Sequence, residues 1–149
     1  DLEPLSVRRF VEMRMQYFDH VYIAVNDLDK AIQDFSKFGL KPRSEPTDSP
    51  QGVRAAFLPL ADGRSIELAE PIGEDKENTV VGRWLARRGG QEGVYLVAIA
   101  VDDLDKAADE YKEQGVELID QELGGNRYVF VHPRSSHGVL IQLVRRESE

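Results

Sequence analysis

Residues 21–31 read VYIAVNDLDKA, and residues 97–107 read VAIAVDDLDKA. Nine of the eleven positions are identical at an offset of 76 residues. A match of this length indicates an internal duplication, and a duplication has to be recognised before the fold is interpreted. The sequence therefore predicts two copies of one folding module.

Each copy opens as a strand and continues as a helix. β-branched residues alternate at positions 21, 23 and 25 and again at 97, 99 and 101, which is typical of a strand. Apolar residues at helical spacing follow, from Leu28 to Phe35 and from Leu104 to Tyr111. Gly39 and Gly115 are positioned to end the two helices. The candidate N-terminal caps are Asn26 or Asp27 for the first helix and Asp102 or Asp103 for the second.

The remainder of each copy favours strands. We predict them at residues 53–59, 64–70, 127–131 and 139–144, with a tight hairpin at Asp62-Gly63. A short helix that Thr79 caps and Gly89-Gly90 end is expected between the copies. The predicted fold class is α+β, with two paired β-α-β-β-β modules forming one curled mixed sheet around a cleft.

These elements predict a single domain at residues 17–145. Module one takes residues 17–72, a linker helix lies within 73–91, module two takes 92–145, and 146–149 form a tail. Residues 1–16 are predicted to be an N-terminal tail or helix, and residues 1–15 have no counterpart in the second copy. Apolar residues in this stretch fit a docking helix, and a disordered tail fits equally well.

Composition excludes several classes of function. With 19 Lys and Arg against 27 Asp and Glu, the net charge is −8, which disfavours nucleic-acid partners and anionic membranes. Without cysteine there is neither a disulfide framework nor a thiolate metal site. No apolar run approaches the roughly 18 residues of a membrane helix, and no secretory signal is evident. We therefore expect a cytoplasmic protein.

Several further motifs stand in a recognisable order. QGV at 51–53 and IELAEP at 66–71 are followed by GG at 124–125 and HPRSSHGVL at 132–140. Together with the repeated opening motif, they resemble the vicinal oxygen chelate superfamily, which includes glyoxalase I and bleomycin-resistance proteins. The likeness is greatest to the methylmalonyl-CoA epimerase branch and covers about residues 17–145.

The resemblance implies a metal site. In the superfamily, four inward side chains from the first and last strands of the modules hold a divalent metal, and the matching positions here are His20, Glu67, Leu96 and Gln142. Leucine cannot coordinate a metal, and an amide oxygen is a weak ligand. We therefore expect at most a weakly bound divalent metal on His20, Glu67 and Gln142, and no other cofactor.

The resemblance also implies an acid–base pair, because epimerisation beside a thioester needs one group to remove a proton and another to return one. The two glutamates of the epimerase branch match Ala55 and Gln142 here, and neither side chain can move a proton. Ordinary epimerisation is therefore not expected. His20 and Glu67 remain as the candidate catalytic pair; the alternative is a histidine hydrogen-bonded to Glu67 without a catalytic role.

Other residues are candidates for ligand binding. Arg127 and Arg134, with Arg83, Arg87 and Arg88, could form a rim for the phosphates of a coenzyme A ester. Alternatively, the last three complement the end of the middle helix. The remaining candidate ligand-binding residues are Tyr22, Tyr95, His137 and Gln142.

Two functions follow. The first is a diverged epimerase-like protein that binds a small acyl-thioester or carboxylated ligand, with isomerase or lyase activity that does not use the usual metal and glutamates. The second is a non-catalytic protein that sequesters a small molecule, as metal-free antibiotic-resistance relatives do, and a broad aromatic wall would favour it. The resemblance alone implies a homodimer, and an inactive partner in a heteromer is a third possibility.

Overall fold

The structure, a computed structural model, describes residues 16–146. The strands are β1 (Gln16–Ala24), β2 (Thr47–Ser49), β3 (Val53–Pro59), β4 (Ser65–Pro71), β5 (Gly93–Val101), β6 (Leu118–Leu123), β7 (Asn126–Val131) and β8 (Ile141–Arg145). The helices within these residues are α1 (Leu28–Ser36), α2 (Val80–Arg87) and α3 (Leu104–Glu113), with short 3-10 turns at Lys76–Asn78 and Pro133–Ser135. The predicted N-terminal helix or tail lies outside the described residues, apart from Gln16, which begins β1.

The two β-α-β-β-β modules that the repeat predicts are present. The strand neighbours run β2-β3-β4-β1 in the first module and β5-β8-β7-β6 in the second, and all eight strands belong to one sheet. The sheet is mixed, because β1 runs parallel to β4 while β3 runs antiparallel to it. The α+β class is therefore confirmed. The strand predicted at 53–59 coincides with β3, and the other three predicted strands overlap β4, β7 and β8.

The helix caps resolve the choice that the sequence left open. Asp27 accepts a hydrogen bond from the backbone N–H of Lys30 at 3.1 Å, and Asp103 accepts one from that of Lys106 at 3.0 Å. Asn26 has a different role, since its side-chain amide donates to the carbonyl of Gly90 at 2.9 Å. In both copies the second residue of the pair is therefore the cap.

One compact unit of the structure comprises His20–Val97. Its core lies where α1 packs on one side of β1, β3 and β4, and Leu28, Leu58 and Leu68 are fully buried there. Ile66 belongs to the same cluster. Because side chains alternate along a strand, Glu67, between Ile66 and Leu68, lies on the side of the sheet away from α1.

Helix α2 begins in a tightly packed turn. The Thr79 hydroxyl accepts the backbone N–H of Gly82 at 3.0 Å and donates to the Lys76 carbonyl at 2.7 Å. A Cβ atom at position 82 would lie 1.9 Å from that same carbonyl oxygen. The close approach of the 3-10 turn to α2 therefore requires glycine at this position.

The second compact unit contains, among the described residues, 16–19 and 98–146. Its core combines Ala107 and Tyr111 of α3 with Val101, Val129 and Leu143 of three strands.

Within residues 16–146, no helix is long and apolar enough to cross a membrane.

Candidate functional site

His20 and Glu67, the predicted catalytic pair, lie in contact. The parallel pairing of β1 with β4 places Tyr22 opposite Glu67, with His20 two residues earlier on the same strand. The His20 Nε2 atom lies 3.1 Å from the Glu67 Oε1 atom, and the two side chains are only 8% and 12% exposed. The structure therefore brings together a shielded imidazole and a shielded carboxylate.

The sheet registers place aromatic residues on both sides of Glu67. Tyr22 of β1 and Phe57 of β3 are its cross-strand neighbours, so all three side chains share one side of the sheet. Phe57 also meets the His20 ring edge to face, with the ring centres 5.9 Å apart. We call this side of β1, β3 and β4, opposite α1, the His20–Glu67 face.

Tyr22 is a titratable side chain next to His20 and Glu67 on this face. Burial raises the pKa of its phenol, and the negative charge of Glu67 and the nearby Tyr95 raise it further. The phenol therefore keeps its proton near neutral pH. It can donate a hydrogen bond, but it does not serve as a base.

A series of aromatic rings extends from Tyr22. The rings of Tyr22 and Tyr95 lie 5.3 Å apart, and Trp84 of α2 meets Tyr95 edge to face at 5.5 Å. The guanidinium of Arg88 lies 4.2 Å from the centre of the Trp84 ring. Trp84 is the chain's single tryptophan, but its helical spacing is that of an ordinary core residue, so the sequence carries no signal of this contact.

The position of the epimerase branch's first glutamate holds Ala55, which lies on the His20–Glu67 face of β3, two residues before Phe57. Ala55 is buried and carries no titratable group. Gln142 lies half-buried on β8, opposite Phe130 of β7. Neither residue can take the proton-transfer role that the resemblance implies.

The side chains present do not fit a superfamily metal site. Across residues 16–146, no group of three or more His, Asp or Glu side chains is arranged to hold a metal ion. His20 and Glu67 supply two donors, while Leu96, at the repeat position of His20, is a buried hydrocarbon. Because catalytic divalent sites use about three good protein ligands, we derive no chemical step through a metal.

Leu96→His is expected to create metal affinity well above that of the natural chain. The resemblance puts residue 96 in a ligand position, so an imidazole there would add a third donor to His20 and Glu67. Titration with Ni²⁺, Co²⁺ or Zn²⁺ should raise the Tm of the Leu96→His variant by several degrees and leave that of the natural protein unchanged.

Val94→His is the matched control, since Val94 lies on the same strand and is 53% exposed. An equal Tm response in the two variants would mean that surface histidine binding explains the shift. A stoichiometric metal in the natural protein that His20→Ala removes would contradict our interpretation of the donor set.

Two of the predicted ligand-binding arginines form hydrogen bonds with carboxylates of this chain. Arg127 donates to Asp120 at 3.0 and 2.7 Å and also to Asp105, and these hydrogen bonds raise its pKa. Arg134 donates to Glu117 at 2.7 Å and lowers the pKa of that carboxyl group. A ligand phosphate at either arginine would have to compete with these carboxylates, and their role in binding stays a prediction.

The loop before β8 holds two histidines. His137 is exposed and has a left-handed backbone, with φ of 56°. His132 has a structural role, because its Nδ1 atom accepts the backbone N–H of Arg134 at 3.0 Å and caps the Pro133–Ser135 turn. No contact of His137 indicates a catalytic function, so its assignment to ligand binding is also still a prediction.

Comparison with known proteins places these features in a family context. A family model described as the glyoxalase/bleomycin resistance protein/dioxygenase superfamily matches residues 19–130. The chain is 31% identical to the mitochondrial methylmalonyl-CoA epimerase of Bos taurus over 130 residues, which cover 84% of this chain and 71% of that one.

Solved structures agree with this similarity. Methylmalonyl-CoA epimerase from Mycobacterium tuberculosis matches with a TM-score of 0.74 and 34% identity over 88% of each chain. A variant of the Streptomyces coelicolor methylmalonyl-CoA epimerase in complex with 2-nitronate-propionyl-CoA matches with a TM-score of 0.72 and 33% identity, over 88% of this chain and 97% of that one.

Proposed function

Since the chain belongs to the glyoxalase/bleomycin resistance protein/dioxygenase superfamily, we propose that it is a diverged, methylmalonyl-CoA epimerase-like member that binds a small acyl-thioester or carboxylated ligand. Its chemistry, an isomerase or lyase step, would depend on His20 and Glu67 without the usual metal and glutamates. The coenzyme A ligand of the Streptomyces coelicolor neighbour supports this ligand class. A homodimer and a cytoplasmic location remain predictions.

The contact between His20 and Glu67 carries the proposal. An imidazole and a carboxylate at 3.1 Å, both shielded from water, form a unit that can hold or pass a proton. In other enzymes, an imidazole beside a carboxylate serves as a general acid or base.

The same geometry limits the reaction. Inversion at a carbon beside a thioester needs a base on one face and an acid on the other. His20 and Glu67 form one such group, while Ala55 and Gln142 stand where the epimerase branch would place its glutamates. The pair would therefore remove a proton on one face of the ligand; an isomerase step would return it to another carbon, and a lyase step would expel a leaving group from the next carbon. Return of the proton to the original carbon on the same face would exchange it faster than it inverts that carbon.

Proton exchange in deuterated buffer tests this proposal. Incubation with acyl-CoA esters should give deuterium at the carbon beside the thioester, with exchange faster than inversion. Glu67→Gln should slow the exchange at least about 100-fold, since a general base contributes 10²–10⁴-fold.

Glu122→Gln is the control, because Glu122 is an exposed carboxylate on β6. Exchange that is unaffected by Glu67→Gln would refute the role of the pair. Inversion as fast as exchange would show that a second acid–base group is present.

A non-catalytic binding protein is the second candidate, and the aromatic series Tyr22–Tyr95–Trp84 favours it. A series of aromatic rings provides the type of wall with which a sequestration protein holds a planar ligand. Ligand binding without any deuterium exchange would support this function over the first.

A further inference from the structure

We infer that the acyl group bound by this chain is uncharged and apolar, in contrast to the dicarboxylic acyl group of methylmalonyl-CoA. This inference rests on the proposed function, since it assigns the substrate class of the same site. It depends on three observations: the charges on the His20–Glu67 face, the exposure of Phe57, and the ion pairs of the second unit.

The first observation is that β1, β3 and β4 place no lysine or arginine on the His20–Glu67 face. Every second residue of β1, β3 and β4 shares this face with Glu67, according to their registers. Arg54 of β3 pairs in register with Glu70 and therefore lies on the opposite side of the sheet. The positions around Glu67 on its own side are His20, Tyr22, Ala55, Phe57, Ser65 and Ala69.

This face would bind a second carboxylate of the ligand only weakly. Buried carboxylates need a cation, a metal or several hydrogen-bond donors to offset the loss of water. Here the ligand carboxylate would meet the charge of Glu67, and His20 already lies 3.1 Å from that group. At short range in a shielded site, two like charges repel strongly.

The second observation is an apolar surface beside the pair. Phe57 is 49% exposed, whereas Ala55, two residues earlier on the same face, is only 6% exposed. The exposed ring contacts the His20 ring and is the cross-strand neighbour of Glu67. A hydrocarbon acyl chain covering Phe57 would remove both apolar surfaces from water and leave the thioester carbonyl beside His20 and Glu67.

The third observation concerns the cations of the second unit. Arg127 is held by Asp120 and Asp105, and Arg134 is held by Glu117. These carboxylates neutralise two of the five arginines that the sequence assigns to a ligand rim. Recognition of a second ligand carboxylate by either arginine would require one of these ion pairs to break.

Calorimetry with matched thioesters tests the inference. Isobutyryl-CoA and phenylacetyl-CoA should each bind at least about tenfold more tightly than methylmalonyl-CoA, with coenzyme A as the reference. Phe57→Ala should weaken binding of the two apolar esters about tenfold, the factor expected when half a phenyl ring loses its contact with the ligand.

Two variants sharpen the result. Phe38→Ala is the control, since Phe38 is 65% exposed and does not lie on the His20–Glu67 face. Its ring lies 5.1 Å from that of Phe35, a residue of α1. Glu67→Gln should strengthen methylmalonyl-CoA binding severalfold, because the repelling charge is removed while the shape of the side chain is kept.

The outcomes separate this inference from the proposed function. Equal or tighter binding of methylmalonyl-CoA, or a Phe57→Ala variant that binds the apolar esters normally, would overturn the inference and leave the proposed function intact. If none of the esters binds, the proposed function fails and the inference fails with it.

Discussion

The variant Glu67→Leu is expected to lower the free energy of unfolding by about 3 kcal/mol. His20 is only 7% exposed, and the change removes the carboxylate 3.1 Å from its Nε2 atom. Removing one partner of a buried polar pair costs stability, because the remaining polar group loses its compensation. Urea unfolding followed by circular dichroism measures the change.

The double variant His20→Leu with Glu67→Leu provides the internal comparison. It should be more stable than Glu67→Leu alone, since two apolar side chains replace the polar pair and no polar group is left uncompensated. Strict additivity of the two single changes would contradict an energetic link between the residues. Glu122→Leu should change stability by less than about 0.5 kcal/mol, as exposed substitutions usually do.

Gly82→Ala is expected to destabilise the protein by about 2 kcal/mol. Helix propensity alone predicts the opposite sign, because alanine is better than glycine inside a helix by about 1 kcal/mol. The new Cβ atom would lie 1.9 Å from the Lys76 carbonyl oxygen and 2.8 Å from the Thr79 hydroxyl, so the turn before α2 would have to move. The sign of the change therefore shows which effect is larger.

The thermal midpoint of unfolding measures this effect. Ala86→Ser is the control, since Ala86 lies exposed on the same helix and its replacement should have little effect. A Gly82→Ala variant as stable as the natural protein would show that the 3-10 turn yields without cost.

Most of the fold could be predicted from the repeated motif, and the parts that were missed share a cause. The strand at 53–59 and the helix stripes carry clear hydrophobic periodicity, which depends only on local sequence. Strands β2 and β6 read TDS and LIDQEL, and their polar residues hide the alternation. The choice between Asn26 and Asp27 as the cap depended on which side chain faced the free amides, and composition does not encode that geometry.

The site was less accessible to prediction. The contact of His20 with Glu67 could be anticipated, because Ile66 and Leu68 fix the side of the sheet on which Glu67 lies. The ion pairs of Arg127 and the ring contact between Trp84 and Tyr95 could not be anticipated. Each contact joins residues of different elements, and no periodic pattern in the sequence predicts which of these residues meet. Tertiary packing determines such contacts, and local sequence patterns do not predict that packing.

The replacement of histidine by Leu96 in the second copy has a consequence for stoichiometry. A duplicated module with two equivalent donor sets would treat the two ends of a symmetric ligand alike. Here only the first copy carries an imidazole and a carboxylate, so the chain has a chemical polarity that its backbone repeat conceals. Each chain should therefore bind one ligand, in one orientation, and the two modules should not be functionally interchangeable.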